Sequence, residues 1–103
     1  MSTMPDPAAG VFGISVAAEL VGTGVQNLRA YERAGLLEPR RTPGGTRLYS
    51  SDDIERLRHI AALLNAGLNL IGVAMVLDLE LQNALLREEI ADHRRGPTGA
   101  EGT

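Results

Sequence analysis

Residues 25–49, VQNLRAYERAGLLEPRRTPGGTRLY, decide the reading of this chain. The first ten have helical spacing. At about 100° per residue, Val25, Leu28 and Glu32 share one side, and Gln26, Asn27, Ala30 and Arg33 share the other. Arg29 and Tyr31 flank the two borders. Gly35 ends the helix and Leu36-Leu37 return the chain to a core. Pro43-Gly44-Gly45 then has the chemistry of a tight hairpin turn, with arginines on both arms.

This segment carries five arginines (Arg29, Arg33, Arg40, Arg41, Arg47) against Glu32 and Glu38, whereas the rest of the chain has five arginines and eleven acids. The net charge of −3 therefore conceals one positive face on an acidic body, which steers a polyanion to one side only. A short helix followed by a basic hairpin is the outline of a winged helix-turn-helix. Such a module places a helix in a DNA groove and a hairpin on the backbone.

The 103 residues are enough for one small domain. Phe12, Tyr31 and Tyr49 are the only aromatics, so the expected core is aliphatic, and association is an expected source of extra stability. The absence of cysteine excludes disulfides, thiolate metal sites and thiol redox sensing. MSTMPDPAAG has neither a basic nor an apolar signal-peptide region, and no run approaches a membrane span. A cytoplasmic protein associated with the nucleoid and with no membrane partner is the expectation.

The fold class read from the pattern is mainly α, with a two-stranded wing. Residues 1–11 and 94–103 are expected to be disordered tails. Residues 12–79 form the winged helix-turn-helix domain, and 80–93 a short dimerisation helix. A first helix over Ser15–Val21 is expected, capped by Ser15 and stopped by Gly22. Gly24 stands at the N-cap of the second helix, without a side-chain acceptor. Ser50-Ser51-Asp52-Asp53 reads as a capping box opening a third helix. Asn69 caps a fourth, Leu70–Leu79, whose apolar residues all round imply burial. A fifth, Glu80–Asp92, is only about 20 Å long and too short to persist alone. Leu77, Leu81 and Leu85 form one stripe, and Leu79, Leu86 and Ile90 another.

ISVAAELVG, NLRAYERAGLL, PRRTPGGTRLYSSDDIERLRHI and GLNLIGV together resemble the DNA-binding half of the MerR family of bacterial transcriptional regulators. Val16-Ala17-Ala18, Thr42-x-Gly44-Gly45 and Gly67-x-Asn69-Leu70-x-Gly72 are most similar to its heat-shock-repressor (HspR-like) branch. The resemblance implies a homodimer joined through an antiparallel pair of C-terminal helices, binding an inverted-repeat operator. Two positions depart from the family pattern. Ala30 stands where relatives carry a larger residue facing DNA, and Asn27 replaces the usual Thr.

The DNA-binding candidates are Gln26 and Asn27 as base readers, with Arg29, Arg33, Arg40, Arg41 and Arg47 on phosphates or bases. Tyr31 and Tyr49 join them as hydroxyls at the helix and wing edges, unless they are core rings. Glu32, a carboxylate on the core side of its helix, is read as a structural partner of an arginine. Leu77, Leu81, Leu85, Leu86 and Ile90 are the dimerisation candidates. No catalytic residue, metal site or cofactor is expected: His59 and His93 lack a second ligand, and Asp52-Asp53 is capping chemistry. The leading function is a dimeric repressor on double-stranded DNA, with a chaperone or RNA polymerase as a co-regulator. The alternatives are an excisionase-like or architectural accessory factor, and a protein-interaction module using the apolar C-terminal helices.

Overall fold

The computed structural model describes residues 9–95 of the chain. The order is α1 (Ile14–Val21), α2 (Val25–Arg33), β1 (Arg40–Arg41), β2 (Arg47–Leu48), α3 (Ser51–Asn65) and α4 (Leu70–Arg95). The strands pair antiparallel, with Arg40 opposite Leu48 and Arg41 opposite Arg47.

Local chemistry sets most boundaries. Ser50 and Asp53 form a reciprocal capping box, each side chain accepting from the other's backbone N–H at 2.9 Å. Asn69 opens α4 by accepting from the Gly72 N–H at 2.8 Å. After α2, Gly35 N–H donates to the Glu32 carbonyl and Leu36 N–H to the Tyr31 carbonyl. That pair of hydrogen bonds needs a left-handed residue just past the helix, and Gly35 supplies it at φ 79°. The wing turn closes through Gly45 N–H to the Thr42 carbonyl at 2.8 Å. The first helix differs from expectation: it begins at Ile14 with Gly13 at the N-cap and no side-chain cap, so Ser15 lies inside the helix and exposed.

Two units make up the chain, one ending at Val73 and the other beginning at Ala74. In the first, α1 packs on α2 and α3 around Ala17, Ala18, Leu28, Tyr31, Leu36, Leu37, Tyr49, Ile54, Leu57, Ile60 and Val73. Each fully buried Leu, Ile or Val contributes about 1.5–3 kcal/mol relative to exposure. The core is thus not purely aliphatic, because two of the three aromatic rings lie inside it.

The boundaries expected at the two ends move. The tails expected over residues 1–8 and 96–103 lie outside the described residues. Val11 and Phe12, by contrast, both donate backbone N–H to the Tyr49 carbonyl at 2.9 Å, which ties the lead-in segment to the wing. At Gly10 an added Cβ would stand 2.9 Å from the Leu48 Cβ, a close approach that only glycine allows. Arg94 and Arg95, read as tail, are helical.

The expected fourth and fifth helices are one. α4 runs unbroken for 26 residues, about 39 Å. No glycine or proline interrupts residues 73–95, and strong helix formers fill the former break. The expected burial of Leu70–Leu79 also fails: Val73 alone is buried, while Ile71, Met75 and Leu79 are exposed.

Candidate nucleic-acid interface

α2 buries Leu28 and Tyr31 and leaves Gln26, Asn27, Arg29 and Arg33 exposed. The axis of its core face therefore runs between Leu28 and Tyr31, rotated from the expected Val25–Leu28–Glu32 side. Val25 and Glu32 are half-buried at its margin. The helix starts at Gly24 without a side-chain cap, but the Asn27 Nδ2 donates to the Thr23 Oγ1 at 2.6 Å. The Asn27 departure thus supplies a brace where the cap is weak, and leaves the amide oxygen without a hydrogen bond among the described residues. Ala30 is half-buried and lines a recess of about 380 Å³ with Thr23, Asn27, Tyr31, Leu64 and Asn65.

The wing is tied to α2 through one carboxylate. Glu32 Oε2 accepts from Arg41 Nη2 and Glu32 Oε1 from Arg47 Nε, each at 2.5 Å. The reading of Glu32 as an arginine's partner holds, with two arginines where one was expected. The Arg47 hydrogen bond is the largest cause holding the Glu32 carboxyl below its ordinary range, and the charges of Arg47 and Arg41 add to it against a partial desolvation. The same bond raises Arg47. Arg41 and Arg47 face each other across the hairpin. Like charges directly opposite repel, and the carboxylate offsets that repulsion.

Structure separates the arginines that sequence grouped together. Arg29, Arg33 and Arg40 are exposed and carry no ion pair among the described residues. Arg41 and Arg47 are pinned to α2. Tyr31 is nearly buried and Tyr49 fully buried. Both are core rings, so the expectation of phosphate contacts from them is corrected. The physical reasons differ: Tyr31 shares the core face of α2 with Leu28, while extended backbone aims alternate residues to one face and the second wing arm turns Tyr49 inward. Among the described residues the Tyr49 hydroxyl has no hydrogen-bond partner, and burial pushes the phenol above its ordinary value.

Two residues escaped the sequence reading. Arg56 Nε donates to the Leu36 carbonyl at 2.7 Å, and Arg58 Nη2 to the Leu20 carbonyl at 3.2 Å. The Leu20 carbonyl lies in the last turn of α1, where helix geometry leaves it open, and the Leu36 carbonyl lies in the loop that follows α2. No sequence pattern marks the two arginines, since each resembles an ordinary exposed helix arginine.

The remaining candidates lie in the second unit, where no residue from Ala74 to Arg95 is buried. Leu81, Leu85, Leu86 and Ile90 are exposed and Leu77 is half-buried. Asp78 accepts from Gln82, and Asp92 from Arg95, along the helix surface.

Three helices and a basic two-stranded wing, with a polar helix beside the wing, define a winged helix-turn-helix protein. The chain belongs to the MerR family of helix-turn-helix regulatory proteins, whose pattern matches residues 12–80. It is 44% identical over 91 residues to the heat shock protein HspR of Streptomyces coelicolor, covering 87% of this chain and 60% of that one. It is 37% identical over 70 residues to the HTH-type transcriptional regulator GlnR of Bacillus anthracis, covering 68% and 54%. The chain thus spans little more than half the length of these relatives. Among solved structures it is similar to the transcription regulator PbrR691 of Ralstonia metallidurans in complex with lead(II). That match has 28% identity and a TM-score of 0.64, over 89% of this chain and 79% of that one. No helix among the described residues is long and apolar enough to cross a membrane.

Proposed function

We propose that this chain is a sequence-specific DNA-binding transcriptional regulator, a homodimeric repressor that acts on an inverted-repeat operator. One observation carries the reading. The exposed Gln26, Asn27, Arg29 and Arg33 of α2 belong to the same helix that holds the arginine-bearing wing through Glu32, so helix and hairpin form one reading body. Gln26 and the free oxygen of Asn27 suit base edges. Arg29, Arg33, Arg40 and Arg47 suit phosphates, which position without specifying. The likeness to HspR and GlnR supports a regulator, and a nucleoid-associated cytoplasmic location follows from that role.

Exposed Leu81, Leu85, Leu86 and Ile90 support self-association through α4. The same apolar surface is what a protein co-regulator such as a chaperone or RNA polymerase would use.

Selection of bound duplexes from a random-sequence library tests the proposal. Two symmetric half-sites and an affinity that falls steeply with salt are expected. A repeating array would instead mark an architectural accessory factor, and no enriched duplex would overturn DNA binding.

A further inference from the structure

The two wing arginines that Glu32 holds are not equivalent. Arg41 uses both terminal nitrogens, Nη2 on Glu32 and Nη1 on the Gly45 carbonyl at 3.2 Å. Arg47 uses only Nε, and its Nη1 and Nη2 bond to nothing among the described residues. A guanidinium is a rigid planar fork with five donors. Pinning it at Nε fixes its plane and leaves the outer Nη edge free, the edge that forks a phosphate.

We propose that Glu32 is a positioning residue that pre-orients Arg47 to fork a DNA phosphate, while Arg41 braces the wing turn. The inference rests on the DNA-binding reading above and sharpens it by separating the pre-oriented Arg47 from Arg41, which the wing turn engages, and from the unpinned Arg40. Glu32 itself touches no DNA. Its carboxylate holds in the free protein the side-chain orientation that binding would otherwise impose, which lowers the ordering cost of the contact. The rival role for Glu32 is simple charge screening, and it has the opposite sign. A carboxylate that merely offsets two arginines weakens attraction to a polyanion, so its removal would tighten binding.

The experiment measures affinity and its salt dependence for Glu32→Gln, Arg47→Ala and the double variant, with the tightest duplex recovered from a random-sequence library by the unaltered chain. Glu32→Gln is expected to bind about fivefold more weakly, the scale of one side chain's ordering, with its salt slope unchanged. Arg47→Ala should lower the slope by about one phosphate's worth. In that background Glu32→Gln should cost nothing further. Binding by Glu32→Gln as tight as or tighter than the parent, or a loss that persists without Arg47, overturns the inference. If Glu32→Gln does not fold, Arg47→Lys carries the test. It keeps the charge but has no Nε to pin, so affinity should fall severalfold with the slope retained, and parental affinity would overturn the proposal. If the unaltered chain enriches no duplex, it is the DNA-binding reading that falls.

Discussion

The segment from Ile14 to Val73 and the segment from Ala74 to Arg95 are built on opposite terms. The first buries eleven apolar residues around three helices and a hairpin, several of them completely. The second is helical throughout and buries none, although it carries five exposed leucines and isoleucines. Apolar content does not distinguish them. What differs is whether the apolar residues have a surface within the same unit to pack on. An isolated helix holds itself by backbone bonds and local pairs, and gains its main stabilisation only from tertiary or subunit contacts.

The largest expected effect breaks the first region. Leu57→Ala, at a site with no exposure, should destabilise by about 2–5 kcal/mol, measured by urea unfolding. The paired change Leu81→Glu with Leu85→Glu should cost the first unit far less. In exchange it should abolish dimerisation in sedimentation equilibrium, and with it the rise of melting temperature with protein concentration. A melting temperature independent of concentration in the parent would remove the contrast.

A middle-sized effect sharpens how the first region is held to its wing. Glu32 has a folded pKa below its ordinary carboxyl value near 4.5. Its contribution is therefore fully present above the unfolded pKa and is lost as pH falls through the folded one. Unfolding free energy of the parent should drop through that acid window, and Glu32→Gln should show a shallower drop. Parallel curves would mean that the clamp does not contribute to stability.

The smallest effect concerns Tyr49. Its buried hydroxyl lacks a partner among the described residues, and an unsatisfied buried polar group is destabilising. Tyr49→Phe should leave the melting temperature unchanged or slightly raised, with the ring's packing retained. A clear fall would reveal a hydrogen bond through water.

The legible parts of this protein were those decided within a few residues. Ser50-x-x-Asp53 and Asn69 announced helix starts, and Gly22 and Gly35 announced helix ends. Pro43-Gly44-Gly45 announced the wing, because caps and turns satisfy backbone groups from neighbouring side chains. Glu32 was legible as an arginine's partner from the cost of leaving a carboxylate unpaired. Its partners were not, since they lie nine and fifteen residues away and depend on where the wing lands. The break expected at Glu80 fell where a nearly all-apolar stretch gives way to a polar one, yet a helix ends only where caps or breakers intervene.

Sequence by itself determined that a polar helix is followed by a basic hairpin, and hence the family and the outline of the reading face. Only the tertiary structure decided that Tyr31 and Tyr49 turn inward, that Arg41 and Arg47 share one carboxylate, and that α4 keeps its leucines exposed. The reason is physical. A shift of one residue's angle around a helix moves a side chain between core and groove, and that angle is set by what packs against the helix rather than by the helix itself.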